Sequence, residues 1–162
     1  MDKIDNKDNK IDKIDSKDIK ILNCLKRDAR LTASAISEEI NLSVSAVIER
    51  IKKLKSSGVI KGYTIELDQE KLGNNVVALM EVSLEHPDYN DEFIDMVEKN
   101  PNIVACFYQT GVYDFVLQII TDSKEGLERV YRDVKCCKGV SKTETHFVLK
   151  TIKDVFCVLP EE

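Results

Sequence analysis

The residues whose types and spacing could do chemistry form three groups, and the most coherent of them is suited to recognition rather than to bond-making. Between Thr32 and Gly58 two short helical patterns, Thr32 to Ile40 and Val44 to Leu54, are separated by Asn41-Leu42-Ser43. Three residues is the length of the tight turn in a helix-turn-helix. Thr32 and Ser43 are of the type that caps helices, and Asn41 tolerates the left-handed conformation that such a turn demands. Val47, Ile51 and Leu54 recur at spacings of four and three, a core stripe. Small residues, Ser43, Ser45 and Ala46, open the second helix and would let it approach base edges. Glu49, Arg50, Lys52, Lys53 and Lys55 follow, with Arg50 expected to read bases and the lysines to meet phosphates.

The second group is the loop Thr110-Gly111-Val112-Tyr113-Asp114. Glycine there lets the backbone come close to a ligand and frees N–H groups for a carboxylate, while Asp114 could accept from an ammonium. The same residues also suit a plain hairpin turn, with Gly111 at positive φ and Asp114 capping it. On the residues alone the two readings weigh equally.

The third group is sparse. His86 and His146 are the two histidines, and neither lies in a sequence cluster with nucleophile or base spacing. Cys24, Cys106, Cys136, Cys137 and Cys157 are odd in number and scattered, with no Cys-x-x-Cys pair, which argues against a zinc site and for free thiols in a reducing cytoplasm. No phosphate-binding glycine loop is present, so no cofactor is expected. No apolar run approaches the ~18–20 residues of a membrane helix, and the charged N-terminus does not read as a secretory signal.

Charge divides the chain. Residues 14–66 hold ten Lys and Arg against seven Asp and Glu, net +3, whereas residues 67–162 hold ten against eighteen, net −8. The one positive segment contains the helix-turn-helix. Residues 1–13 are Asp/Lys/Asn-rich, four basic against four acidic, and are expected to be a flexible tail.

Around these groups the element pattern is regular. Ser16 is expected to cap a helix to about Arg27, with Ile19, Ile21, Leu22 and Leu25 buried and Cys24 at the core edge. Gly58 ends the third helix, and Val59 to Ile65 alternates as a short hairpin would, a wing. Residues 66–75 form a linker closing on the breaker Gly73-Asn74-Asn75. Strand candidates Val76 to Leu84, Ile103 to Thr110, Asp114 to Thr121 and a last one around Thr143 to Leu149 then interleave with helices beginning at Pro87 and Ser123. The second of these helices is expected to turn Leu127, Val130, Tyr131 and Val134 inward. The order βαββαβ is ferredoxin-like, an α+β fold with both helices on one sheet face. Its uncovered face predicts a homodimer. The expected organisation is a tail over 1–13, a winged helix-turn-helix domain over 14–65, a linker over 66–75 and a ferredoxin-like effector-binding and dimerisation domain over 76–162.

Several phrases resemble the leucine-responsive/asparagine regulator family, Lrp/AsnC. Ile14 to Leu22 looks like its opening "LDxxDxxIL", Leu42-Ser43 through Tyr63 like its recognition helix and wing, and Gly111-Val112-Tyr113-Asp114 like its "GxYD" loop. The chain departs from the family at Val44, where Pro is common, and at Asn41, where Gly is common. The resemblance implies a cytoplasmic regulator that binds double-stranded DNA. Its dimers would assemble into octamers or similar discs and bind a small effector, usually an amino acid, between subunits. It places Ser43, Ser45 and Arg50 at DNA and Thr110 to Asp114 at the effector. Two other functions compete. An architectural DNA-binding protein would ignore ligands. An enzyme resembling siroheme decarboxylases would use histidines near a tetrapyrrole.

Overall fold

A computed structural model of the chain describes residues 14–155 and 157–160. The expectation of a flexible tail over 1–13 lies outside the described residues. Among the described residues two compact units emerge, residues 14–65 with 155 and 157–160, and residues 66–154.

The first unit is built on three helices, α1 (Ser16–Arg27), α2 (Ala33–Ile40) and α3 (Val44–Ser56). Asp15, not Ser16, caps α1: its carboxylate accepts from the Asp18 N–H at 2.8 Å while Asp18 accepts from the Asp15 N–H at 3.1 Å. A carboxylate can serve both as cap and as a favourable charge at the positive end of the helix, which a serine cannot. Thr32 caps α2 and Ser43 caps α3 as their types predict. Asn41 sits at φ 54°, ψ 53°, the left-handed conformation expected of it, and its N–H and that of Leu42 close on the Ser37 carbonyl. Ile21, Cys24, Ile36, Val47 and Leu54 form the core, and Leu22, Leu25, Ile51 and Ile60 pack around it. Cys24 is thus inside the core and not at its edge. Val59 to Ile65, the wing segment, carries no strand of its own in this chain, although its alternation suggests one. Instead the Ile60 N–H bonds back to the Leu54 carbonyl and Lys55 lies over the Tyr63 ring, so the segment folds onto the end of α3 and not onto a partner strand.

The second unit runs β1 (Val76–Leu84), a single 3-10 turn (Pro87–Tyr89), α4 (Asn90–Lys99), β2 (Ile103–Tyr108), β3 (Phe115–Thr121), α5 (Lys124–Cys136) and β4 (Val140–Phe147). The sheet is antiparallel in the order β2-β3-β1-β4. This is the ferredoxin-like α+β arrangement that the element order predicts. Alternation along each strand decides the faces. Ala78, Met80, Val82, Phe115, Leu117 and Ile119 turn to one side, where Phe93 and Val97 of α4 and Leu127, Val130 and Val134 of α5 cover them. Phe93 and Phe115 meet with ring centroids 4.8 Å apart. Tyr131, expected inward, is 41% exposed. The other side carries Val77, Leu79, Glu81, Val116, Ile120, Glu144 and His146, and within this unit no element covers it.

The chain leaves α5 through Gly139, whose backbone passes against the Tyr89 ring. A Cβ built there lies 2.2 Å from the ring, and φ is +84°, a region that suits glycine. Two independent costs therefore fall on one substitution. Gly139→Ala should lower stability by about 2–4 kcal/mol, read as a shift in the urea midpoint at unchanged slope. In the Tyr89→Ala background the same substitution should cost less, because only the backbone strain remains.

Candidate functional site

The thirteen residues singled out for recognition separate once the chain folds. On α3, Ser45, Glu49, Lys52 and Lys55 face outward and are exposed. Ser43 is used locally: its hydroxyl accepts from the Ala46 N–H at 3.2 Å and shares a hydrogen bond of 3.1 Å with Ser45. Ala46, Arg50 and Lys53 turn instead toward the start of α1, where with Asp15, Asp18 and Glu49 they line a shallow dent.

Arg50 departs most from its expected role. Its Nη1 lies 2.7 Å from Asp15 Oδ2 and 2.7 Å from Asp18 Oδ1. The guanidinium is 30% exposed and the Asp18 carboxylate 14%. Two carboxylates that already cap a helix hold the cation between two elements, so in this structure Arg50 fastens α3 to α1. Asp18 first, then Asp15, stabilise its charged form. In turn the Asp18 N–H, followed by Arg50, holds the Asp15 carboxyl below its ordinary range. Arg27 pairs with Glu39 in two hydrogen bonds, an exposed pair of small energetic weight.

Two residues not singled out from the sequence join the outward face. Val44 and Ile48 are each 42% exposed and lie one turn apart at its N-terminal end. Their signal was available: they are apolar and fall off the Val47–Ile51–Leu54 stripe. The face is therefore apolar at its N-terminal end and basic at its C-terminal end.

In the second unit the Thr110–Asp114 loop is stitched to β1. The Asp114 N–H donates to the Val82 carbonyl at 2.9 Å, Asp114 Oδ2 accepts from the Leu84 N–H at 2.8 Å, and the Ser83 hydroxyl donates to the Val112 carbonyl at 3.2 Å. One carboxylate oxygen of Asp114 thus serves the hairpin-like closure that its residue type equally predicts. Tyr113 is buried, its hydroxyl donating to Glu144 Oε2. Thr110, Gly111 and Val112 stay exposed. Gly111 holds φ +145°, with open space where a Cβ would be.

Neither histidine sits in a catalytic arrangement of the familiar kind. His86 Nδ1 accepts from the Asp88 N–H at 3.3 Å and caps the 3-10 turn. His146 stands on the uncovered sheet face beside Glu81 and Glu144. The five cysteines are free, Cys24 buried and Cys106, Cys136 and Cys157 exposed. Among the described residues no helix is long and apolar enough to cross a membrane.

Comparison with known proteins adds the context. Residues 14–61 match a profile described as winged helix-turn-helix DNA-binding, and residues 76–156 one described as the Lrp/AsnC ligand binding domain. The HTH-type transcriptional regulator LrpC of Bacillus subtilis is 34% identical over 82% of this chain and 89% of its own. The HTH-type transcriptional regulator FL11 of Pyrococcus horikoshii is 38% identical over 83% of this chain and 89% of its own. Among solved structures, a transcriptional regulator from Neisseria meningitidis in complex with L-Met superposes with a TM-score of 0.86 at 31% identity, covering 91% of this chain and 97% of that one.

The Arg50 fastening has a pH signature. A carboxyl whose folded pKa is depressed adds stability that is complete above its unfolded value, 3.8 for Asp15, and is lost as pH falls through the lower folded value. Denaturation midpoints of the parent should therefore fall toward pH 2 more steeply than those of Asp15→Asn, with the two curves differing most above roughly pH 5. Arg50→Ala should cost about 1–3 kcal/mol at neutral pH, because it leaves a mostly buried Asp18 carboxylate without its cation.

Proposed function

Because this chain belongs to the Lrp/AsnC family and is a DNA-binding transcriptional regulator of that family, we propose that a small effector, an amino acid, modulates its DNA binding or its assembly. The observation that carries the reading is the pairing, in one chain, of a helix-turn-helix unit whose caps and left-handed turn are in place with a separate α+β unit of the ligand-binding type. The L-Met complex of the Neisseria regulator supports an amino acid as the class of ligand. So does charge: the C-terminal stretch 67–162, of net −8, disfavours strongly anionic ligands and suits a zwitterion.

At DNA, Ser45, Glu49, Lys52 and Lys55 face the duplex, Lys53 stands nearer the α1 side, and Val44 and Ile48 offer apolar contact to thymine methyl groups. Arg50 acts indirectly by holding α3 in place, with Ser43 and Ala46 setting the start of that helix. At the effector, the exposed Thr110, Gly111 and Val112 supply backbone groups for the carboxylate. The ammonium is met by the remaining oxygen of Asp114, while Tyr113 supports the loop from behind. A second copy completes this site, and the uncovered sheet face, with Val77, Leu79, Val116 and Ile120 on it, is where two copies pair before assembling further. An architectural DNA-binding protein lacking ligand response would share the DNA face but leave the second unit without a ligand. The relatives named above are regulators rather than enzymes.

Ligand titration separates these readings. At least one of the twenty amino acids should raise the apparent melting temperature and change operator affinity several-fold or more. In Gly111→Val the response should be lost while binding without effector persists, because a β-branched residue is strained at that φ. If every amino acid leaves binding and assembly unchanged, the effector reading fails and the architectural one stands. Lys52→Ala and Lys55→Ala should each weaken binding about equally on all sequences and lower the salt slope by about one.

Light scattering at micromolar concentration should return at least a dimer. Charged substitution of Leu79 on the open face, Leu79→Glu, should shift it toward monomer.

A further inference from the structure

We propose that residues 157–160 are a strap that closes an apolar groove of the first unit and so holds the wing segment in the position that supports DNA binding. Leu22 and Leu25 of α1 and Val59, Ile60 and Tyr63 of the wing segment line one hollow, and Leu159 enters it from the end of the chain. Leu159 is half-buried there, whereas Val158 beside it is 90% exposed, so Leu159 is the apolar anchor of the strap. One polar contact fixes the same segment: Lys26 Nζ of α1 donates to the Cys157 carbonyl at 3.0 Å, a charge-assisted hydrogen bond between residues far apart in sequence.

The wing segment needs such a hold. It carries no strand, so no ladder of backbone bonds fixes it. Ile60 packs on the core and its N–H bonds to the Leu54 carbonyl, and the Tyr63 ring takes the Lys55 ammonium at 4.7 Å. Residues 61–65 are otherwise exposed. A loop held at so few points opens locally at small cost. Leu159 against the apolar residues of the wing segment and of α1 adds a further point by removing apolar surface from water, and the Lys26 bond keeps the strap over it.

Two consequences follow from where the groove lies. The first concerns DNA and rests on the reading of Lys55 as a phosphate contact. Lys55 stands over Tyr63, and Tyr63 lines the groove that the strap closes. A wing segment held in the groove keeps the ring beneath the cation, and a loosened one gives up that attraction and lets the lysine wander. The second is topological. The chain leaves this unit after Ile65 and re-enters it at Val155. Wing segment and strap are thus its exit and its return, and the groove ties the two together.

Hydrogen exchange of the full-length protein, read by mass spectrometry, reports the hold directly. In Leu159→Asn the amides of residues 59–64 should exchange at least about tenfold faster than in the parent, with residues 76–147 unchanged. Lys26→Met keeps the apolar stem and loses the bond to the Cys157 carbonyl, so it should move the same amides less far. Lys26 is exposed and Leu159 half-buried, so both variants should keep the parent's circular dichroism. Leu159→Asn changes no charge, yet its affinity for a mixed-sequence DNA duplex at low salt should fall several-fold. Parent-like exchange over residues 59–64 in Leu159→Asn overturns the strap. Faster exchange with parent-like DNA affinity overturns its link to DNA, and where Lys55→Ala also binds like the parent that failure belongs to the Lys55 reading.

Discussion

The register of β1 between β3 and β4 is the constraint on which the second unit depends. Met80 lies opposite Leu117 on one side and Thr145 on the other, and Glu81 opposite Val116 and Glu144. A slip of one residue would carry Ala78, Met80 and Val82 to the uncovered face and bring Glu81 into the core beneath Phe93 and Val97. Burial of large apolar side chains stabilises by roughly 1.5–3 kcal/mol each, so no such slip is tolerable. The same register that fills the core assembles the Glu81–Glu144–His146 group and lets Asp114 reach the Leu84 N–H. Core, cluster and loop are three consequences of one alignment.

In the first unit the corresponding constraint is angular. Asn41 in the left-handed conformation sets the direction in which α3 leaves α2, and Arg50 clamps α3 to the capping box of α1. Both act through short contacts at helix starts, where unpaired N–H groups and the helix dipole already attract carboxylates. Asp15 and Asp18 therefore serve twice, as caps and as an anchor for the cation. The basic character of the outward face of α3 then comes from Lys52 and Lys55, not from the arginine.

Charge is divided between the two halves of the chain. A net positive segment carrying an exposed helix suits a polyanion, and the acidic remainder does not. Each unit has its own core, so the fold of one does not rest on the packing of the other.

Local signals determined much of this by themselves. Thr32, Asn41 and Ser43 are legible because cap and turn chemistry acts within three or four residues of its own position, and the two strand–helix–strand runs because burial on one face imposes a period. The family was legible for the same reason: its phrases are local. What only the tertiary structure decided are contacts between residues distant in sequence. Arg50 looks like any outward basic residue until its angular position on α3 is set against the start of α1, 32 residues away from it at Asp18. Asp114 is expected from its type to serve a ligand or a turn alike, and that one of its oxygens accepts from the Leu84 N–H of β1 is visible only in the fold. The wing reads as a hairpin because alternation is a necessary mark of a strand and not a sufficient one. A strand also needs a partner, and Val59 to Ile65 turns back on α3 instead. Glu81, Glu144 and His146 are invisible as a set in the sequence, since cross-strand neighbours are fixed by register, and register is a property of the whole sheet.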